Sequence, residues 1–448
     1  MTAEPSQGIT AKLAAFIALT DDAWIPAEAY EHAKVAFLDW VAVTLGGKDD
    51  PLVTKLMDFA DMEGGHEQAT LLGHGRRKTL SQAALINGSA SHALDYDDTL
   101  VSFLGHPSVT VFPSLLALSE WLDMSGREML TAYLIGVQAG GTIGACASLD
   151  HYMAGWHATS TLGHMASAAA CARLLGLDEA RTRHALGIAG TQASGLKRVF
   201  GTMCKPFHAG RASQSGLMAA LLARDGFTSA EDILEGPQGF FQVLQGKVND
   251  LVLGMLGLGW DVVNLSQKYH ASCHATHSPL EAALSVVQEA SIPLDEIREI
   301  RVFSSQMALD AAGKTEPATG LEGKFSIPYC VANALLRGET GTRAFTDEKV
   351  ADPAVRALMA RVRVSLHPDM KALESRVEVE TQDGKVLSGF SDILQQIPPL
   401  EVKQDRVLKK FMDLCIPVTG GRRAEELAGE IRGMDTLRNV RDLAERLG

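Results

Sequence analysis

Cysteine is scarce in this sequence, and no two cysteines stand at the short spacing that metal sites use. The six cysteines are spread over the chain, without a C-x-x-C pair, at positions 146, 171, 204, 273, 330 and 415. This distribution is typical of reduced thiols and argues against a disulfide framework, a zinc site and an iron–sulfur cluster. We therefore expect any chemistry here to proceed without such a cluster.

The chain also lacks an excess of positive charge and a long uninterrupted apolar run. Its 41 Lys and Arg are outnumbered by 54 Asp and Glu, for a net charge of −13, and no basic tract or basic N-terminal region occurs. This balance disfavours nucleic acid and anionic membranes as partners and disfavours a secretory signal. The most apolar run, 134–149, contains Gln138 and Thr142 and is shorter than a membrane span. We expect a cytoplasmic protein without a membrane or nucleic-acid partner.

Motifs that hold nucleotide cofactors or activate a serine are missing as well. The glycine-rich stretch 255–261 lacks the third glycine, the preceding strand and the later acidic residue of a dinucleotide fingerprint. Neither a Walker motif, a G-x-S-x-G elbow nor an H-E-x-x-H pair occurs. The sequence therefore predicts neither a bound cofactor nor a metal.

Two kinds of pattern divide the chain. With 448 residues it is long enough for two domains. Residues 25–260 show successive helical patterns rich in Ala, Gly and Ser, which allow close helix packing, whereas strand-like alternation begins near Ile297. Asp383-Gly384 marks a hairpin turn within 375–390. We predict a mainly α protein, in which a large, purely helical domain (1–265 and 398–448) accompanies a smaller α+β domain (266–397).

The densest group of polar residues is the segment 92–108, HALDYDDTLVSFLGHPS. It holds Asp95, Asp97, Asp98 and His106 between two apolar stretches that are typical of buried helices. Clustered carboxylates in such surroundings need cations, shared protons or hydrogen bonds. One interpretation is an acidic helix cap, with Asp97 and Asp98 leading into a turn that His106 closes. The other, which we favour, is the wall of an active site.

Ten of the fourteen histidines lie between positions 92 and 277. His106, held between a glycine and a proline, is a candidate general acid or base. His157, which precedes a predicted helix start, is a candidate for holding a carboxylate, with a structural histidine packed on Trp156 as the alternative. Lys205, in a loop framed by glycine and proline, is a candidate for pairing with a carboxylate or enolate oxygen, and His208 is expected to support it.

A further cluster lies at residues 268–277. Lys268 and Cys273 are polar candidates there, and His270, His274 and His277 have the spacing of one helix face, which would suit zinc. Ser272, Cys273 and an uncertain helix start disfavour that zinc site. His277, beside Ser278-Pro279, is better explained as the N-terminal boundary of the next helix.

Several long motifs resemble the MmgE/PrpD family, which includes 2-methylcitrate dehydratase, cis-aconitate decarboxylase and iminodisuccinate epimerase. The resemblance runs from about residue 30 to 415 and rests on HALDYDDT with GHPS, GWHATSTLGHMASAAACARLLGLD (155–178), GTMCKPFHAGRASQSGLMAALLARDGFTSAEDILEGPQGF (201–240), KYHASCHATHSPLEAAL (268–284) and KFSIPYCVANALLRGE (324–339). It implies a helical body with the α+β domain as a lid, a homodimer, no cofactor or metal, and a small anionic carboxylate as substrate.

The resemblance also implies a set of site residues. The decarboxylase branch uses equivalents of Asp95, Thr99, His106, His157, Lys205 and Lys268. One further histidine of that branch is replaced here by Cys273, a residue that the epimerase branch also has, so this departure favours the epimerase side. We assign Asp95, His106, Lys205 and His157 as catalytic candidates. The candidates for substrate binding are Thr99, Lys268, Cys273 and His208.

All reactions of the family require a proton or a carboxylate group to leave a carbon next to a carboxylate. His106 or Asp95 would move the proton, while Lys205, Lys268 and His157 would hold carboxylates and the developing negative charge. We expect a cofactor-independent lyase or isomerase on a di- or tricarboxylate. Dehydration comes first, epimerisation second and cis-aconitate decarboxylation third. A non-catalytic carboxylate-binding protein and a metal-dependent hydrolase are the competing classes.

Overall fold

The computed structural model describes residues 8–448, whose contacts divide into two units. The first unit comprises the described part of Met1–Gln267 together with Pro399–Gly448, and the second is Lys268–Pro398. Helices dominate the described residues, which confirms the prediction of a mainly α protein.

The α-helices are numbered in chain order. Those before the second unit are α1 (Ile9–Leu19), α2 (Ala27–Gly47), α3 (Pro51–Glu63), α4 (Leu80–Ala93), α5 (Ser108–Leu122), α6 (Gly126–Met153), α7 (Ala158–Leu174), α8 (Glu179–Gln192), α9 (Cys204–Arg224), α10 (Phe240–Val243) and α11 (Asp250–Gly254). Those of the second unit are α12 (His277–Glu289), α13 (Gln306–Ala312), α14 (Gly320–Gly323), α15 (Ile327–Arg337), α16 (Asp347–Ala351) and α17 (Pro353–Met359). The last three, again in the first unit, are α18 (Leu400–Thr419), α19 (Gly421–Arg432) and α20 (Val440–Leu447).

Shorter elements complete the two units. Single turns of 3-10 helix are Asp22–Trp24, Lys197–Val199, Asp261–Asn264, His274–Thr276, Leu294–Glu296, Thr342–Ala344 and Met434–Thr436. The strands are β1 (Ala69–Leu71), β2 (Arg76–Lys78), β3 (Ile297–Ser304), β4 (Val362–Leu366), β5 (Glu374–Thr381) and β6 (Val386–Asp392). The antiparallel pair β1–β2 lies in the first unit, so the expectation of a purely helical first domain was wrong in this detail.

Small residues bring the central helices of the first unit together, as their composition predicted. A Cβ built on Gly88 of α4 would lie 2.7 Å from the Cα of Gly210 on α9. A Cβ on Gly216 of α9 would lie 2.4 Å from the Cβ of Ser167 on α7. Only glycine allows these backbones to pass so closely, and α9 is thereby fixed against both α4 and α7.

Helix α6 contains the most apolar run of the sequence. It begins at a capping box formed by Ser125 and Glu128, and its regular geometry is interrupted at Ser148, where φ is 59°. By length and composition it could cross a membrane, but 94% of its apolar window is buried inside the fold. We therefore assign it as a core helix.

The second unit is built around a four-stranded sheet with the order β4-β3-β5-β6. Strand β3 is parallel to β4 and antiparallel to β5, which forms a hairpin with β6 across the predicted turn at Asp383-Gly384. Alternate residues of β3 and β5, among them Val302, Val377 and Val379, are buried against the helices of this unit.

Candidate active site

The segment between α4 and α5 folds back on itself. Asp95 and Leu104 take left-handed backbone angles, with φ of 51° and 54°, and the backbones of Leu100 and Gly105 pair with each other. A Cβ at Gly105 would lie 2.5 Å from Oγ1 of Thr159 on α7, so glycine is required there. This tight return brings His106 back beside the aspartates that precede it.

A buried carboxylate bridges two imidazoles at the centre of this fold-back. Nδ1 of His92, in the last turn of α4, lies 2.8 Å from Oδ1 of Asp97, and Nδ1 of His106 lies 2.8 Å from Oδ2. The side chains of His92 and Asp97 are 0% and 1% exposed, whereas that of His106 is 12% exposed. Because an ionised carboxylate only accepts hydrogen bonds, each Nδ1 carries the proton of its contact with Asp97. The sequence analysis missed His92 and the bridging role of Asp97.

Asp97 and Asp98 are adjacent in sequence, but their pKa values are shifted in opposite directions. Burial alone would raise the pKa of Asp97, but the adjacent His92 and His106 hold that pKa well below its usual value. Burial and the nearby carboxylate of Asp39 raise the pKa of Asp98 to about 8. At neutral pH Asp97 is therefore charged, while Asp98 is largely protonated and accepts a 2.5 Å hydrogen bond from Ser108 Oγ.

The alternative interpretation, an acidic helix cap, applies to Asp98 but not to Asp97. Asp98 accepts hydrogen bonds from the hydroxyl and the backbone N–H of Ser108, the first residue of α5, whereas the side chain of the cap residue Pro107 makes no capping hydrogen bond. Asp97 instead contacts the two imidazoles.

Lys205 reaches the same cluster from α9. Its Nζ lies 2.7 Å from Oδ1 of Asp95 and 5.4 Å from the centre of the Phe200 ring. Oxygen atoms of Asp95 and Asp97 and nitrogen atoms of His92 and His106 all lie within 4.8 Å of one another. Lys205 lies in the first turn of α9, where the sequence had indicated a loop.

His157 and His208 form a second pair of imidazoles at this site. His157 occupies the N-terminal cap position of α7, and its Nδ1 lies 3.0 Å from Nδ1 of His208. Its ring stacks at 6.3 Å on that of His92 and contacts the edge of Phe200 at 4.9 Å. Burial, with help from the neighbouring positive groups, lowers the pKa of His157 well below its usual value. His157 is therefore a neutral hydrogen-bonding group. His208, which the sequence analysis expected to support Lys205, contacts His157.

Two lysines of helix α18 contact the backbone of the segment 92–108 and of residues just before the one that pairs with it. Nζ of Lys410 lies 2.6 Å from Asp39 and donates a 2.5 Å hydrogen bond to the carbonyl of Tyr96. Nζ of Lys403 donates to the carbonyls of Val263 and Leu265, each at 2.9 Å. No sequence motif pointed to these buried lysines.

The remaining candidates are placed as follows. The backbone of Thr99 pairs with that of Ser266, so Thr99 belongs to the same folded-back segment. Lys268 and Cys273 belong to the second unit, and their role at the cluster stays a prediction.

Two of the three histidines considered for zinc contact groups within the protein. The ring nitrogens of His270 contact Thr340 at 2.9 Å and Glu281 at 3.0 Å. Nε2 of His277 lies 3.2 Å from the carbonyl of Ser272. His277 is the first residue of α12, as the sequence indicated.

Whether the cluster suits a metal depends on its donor atoms. His92, Asp95, Asp97 and His106 are close enough to surround an ion. However, both oxygens of Asp97 contact ring nitrogens at 2.8 Å, and the Lys205 ammonium already lies against Asp95. A cation here would have to displace all of these contacts, so the residues fit a hydrogen-bonded proton-transfer array better than a metal site.

Comparison with known proteins gives two family matches. Residues 11–250 match the model of the MmgE/PrpD N-terminal domain, and residues 270–435 match that of the MmgE/PrpD C-terminal domain. A cis-aconitate decarboxylase of Aspergillus terreus is 29% identical over 96% of this chain and 93% of its own length. A cis-aconitate decarboxylase-like protein of Aspergillus oryzae is 26% identical, over 98% and 97%. A 2-methylcitrate dehydratase of Cupriavidus necator is 25% identical, over 83% and 81%.

Proposed function

Since this chain belongs to the MmgE/PrpD family, we propose that it is a lyase acting on a small di- or tricarboxylate. The observation that carries the proposal is the buried Asp97 carboxylate between His92 and His106, with the Lys205 ammonium alongside. This arrangement combines groups that move protons with a cation that binds carboxylates. Relatives named as lyases of carboxylic acids support the same class.

Dehydration is the reaction that best fits this set of groups. One imidazole removes the proton from a carbon next to a carboxylate, and the electron pair forms a double bond to the neighbouring carbon. The hydroxyl group on that neighbour leaves as water after an acid protonates it. Such an elimination needs a base and an acid together, and each contributes about 10²–10⁴-fold to a rate. We assign the base to His106, the more exposed imidazole of the bridged pair, with Asp95 as the second candidate.

Lys205 and His157 hold the substrate in this proposal. An ammonium can donate three hydrogen bonds, so Lys205 can bind Asp95 and a substrate carboxylate together. The neutral His157 donates a hydrogen bond and adds no charge. Thr99, His208, Lys268 and Cys273 are proposed to complete the binding of the substrate.

Decarboxylation of cis-aconitate is the second candidate, because relatives with that name match nearly the whole chain. In that reaction a carbon–carbon bond breaks, CO₂ leaves, and an acid protonates the remaining carbanion. Epimerisation would use the same proton removal followed by return of the proton to the other face. Cys273 in place of a histidine favours epimerisation over decarboxylation.

Product analysis separates these reactions. The wild-type protein is incubated with 2-methylcitrate, citrate, cis-aconitate, iminodisuccinate, tartrate and malate, and products are followed by NMR and by CO₂ release. Loss of water from a hydroxy acid supports the leading proposal, and CO₂ from cis-aconitate supports the second. Tight binding without turnover of any compound would indicate a carboxylate-binding protein. Activity that a chelator abolishes would indicate a metal-dependent enzyme.

Lys205→Met tests how the substrate is held. We expect it to lower kcat/KM by at least about 100-fold, since a fixed donor aimed at developing charge is worth roughly 3 kcal/mol. The matched control is Lys197→Met, because Nζ of Lys197 lies 3.7 Å from the centre of the Tyr152 ring, a different partner from that of Lys205. An equal effect of both variants would contradict the assignment.

A further inference from the structure

His92 is buried more completely than the other ring of the bridged pair, and the family resemblance assigns it no role. Its residue is 1% exposed, and among residues 8–448 its Nε2 is buried without a hydrogen-bond partner. Its Nδ1 donates a hydrogen bond of 2.8 Å to Asp97. A buried nitrogen left unpaired costs free energy, so a merely structural role is a poor explanation for histidine at this position.

Asp97 connects His92 to His106. The two imidazoles use different oxygens of one carboxylate, each at 2.8 Å, and their ring centres are 4.6 Å apart. A hydrogen bond donated to one oxygen draws negative charge away from the other oxygen. A change at one ring therefore alters the proton affinity of the other ring, both through the shared carboxylate and directly across space.

We propose that His92 is a positioning residue that sets, through Asp97, how strongly His106, the more exposed ring of the pair, holds a proton. This inference rests on the proposed function, because it assigns His92 to the reaction for which His106 is the base.

Other groups around the pair act in the same field. The charged and titratable groups that face it from the fold-back segment, from α7 and from α9 are Asp95, His157, Lys205 and His208, with Asp98, Asp39 and, from α18, Lys410 behind. Their contacts with one another do not pass through Nδ1 of His92. Removing the His92 ring therefore removes one hydrogen bond from Asp97 and also the ring that stacks on His157.

The sign of the effect of removing the ring is fixed by electrostatics. His92→Leu deletes the donor to Asp97, which leaves more negative charge for His106, and it also deletes any positive charge on the His92 ring. Both changes favour the protonated form of His106, so its pKa should rise by about one unit, the usual size of such a perturbation. His92→Asn keeps a donor near the position of Nδ1 and should return the pKa of His106 most of the way to the wild-type value.

NMR titration of the imidazole resonances in the full-length protein tests this inference, with His106→Asn to assign the His106 signal. The expected result is an upward shift in His92→Leu, a smaller one in His92→Asn, and none in His164→Leu. His164 is matched in burial at 1% exposed, and its Nδ1 contacts the backbone carbonyl of Ser160 in its own helix. An unchanged His106 titration in both His92 variants would overturn the inference.

A kinetic readout distinguishes failure of this inference from failure of the proposed function. In the pH profile of kcat/KM for whichever substrate is turned over, the limb set by His106 should move upward by about one pH unit in His92→Leu. A shifted NMR titration without turnover would keep the coupling and reject the lyase proposal. Turnover with an unshifted pH profile would keep the lyase proposal and reject the coupling. If His92→Leu does not fold, the same comparison is made between wild type, His92→Asn and Asp97→Asn, which neutralises the shared carboxylate and should lower the pKa of His106.

Discussion

Two adjacent aspartates at the cluster show that partners decide the charge of a side chain. Asp97 contacts two imidazoles and stays ionised, whereas burial near Asp39 raises the pKa of Asp98 to about 8. The sequence predicted that the segment 92–108 forms a site, because its carboxylates interrupt apolar helices. It did not predict which carboxylate carries the charge, since that depends on His92 lying one turn before and on His106 returning over a tight fold-back.

At the scale of single residues, we predict the effect of removing the imidazole of His106, the more exposed ring of the bridged pair. His106→Asn should leave the fold intact and lower kcat at least about 100-fold, the low end of the contribution of a general acid or base. Circular dichroism and steady-state kinetics measure the two effects. His184→Asn is the matched control, because His184 is half-buried and bonded to Ser229 outside the cluster. Wild-type turnover in His106→Asn would refute its role.

Among the structural elements, α9 is the one that most directly organises the site. It carries Lys205 in its first turn and passes α4, which carries His92, at a contact between two glycines. The small-residue pattern of these helices predicted such close packing. The helix start at Cys204 was missed, although a proline in a first helical turn is a known N-terminal signal and Pro206 stands there. The strands β1 and β2 are only three residues each, too short for a periodic pattern to reveal.

The helix contact leads to a stability prediction. Gly210→Ala places a methyl group 2.1 Å from the carbonyl oxygen of Leu85, so it should destabilise the protein by about 1–3 kcal/mol through overpacking. Gly429→Ala is the matched control, because Gly429 is also helical and has no atom within 4 Å of the added Cβ. That control should be neutral or stabilising by up to about 1 kcal/mol. Urea unfolding measures both, and equal effects would contradict the packing argument.

Over the whole molecule, the contacts that complete the site join distant parts of the chain. Asp39 near the N-terminus meets Lys410 near the C-terminus, and Lys410 also holds the carbonyl of Tyr96. No spacing rule pairs residues so far apart, because only the packing of α18 on α2 brings them together. The homodimer and the placement of Lys268 and Cys273 beside the cluster stay predictions.

Buried histidines should make the stability of the whole molecule depend on pH. Burial is the main cause of a lowered pKa in four of them. It lowers the pKa of His32 and His164 to about 4 and holds the pKa of His157 and His277 well below the usual value. Because the folded pKa lies below the unfolded value of about 6.5, their contribution is full above that pH and is lost as pH falls. Asp98, whose pKa is raised, has the opposite effect, because it stabilises the folded state more as the pH falls. The four histidines outnumber this one carboxyl group.

The midpoint of urea unfolding, measured between pH 7 and pH 5, tests this pH dependence. The midpoint should decrease as the pH is lowered, since each such histidine adds a slope of about 1.4 kcal/mol per pH unit well below pH 6.5. His164→Gln should reduce the slope by the share of one histidine. A midpoint that stays constant or increases toward pH 5 would show that these histidines are not buried as neutral groups.

Deuterium exchange tests the proposed chemistry most directly. In deuterated water, the wild-type protein should place deuterium on a carbon next to a carboxylate in at least one of the six polycarboxylates named above, or in its product. Asp97→Asn should reduce that incorporation at least about 100-fold while remaining folded, because the two imidazoles lose the carboxylate that orients them. Absence of exchange with every polycarboxylate, or wild-type exchange in Asp97→Asn, would contradict the account.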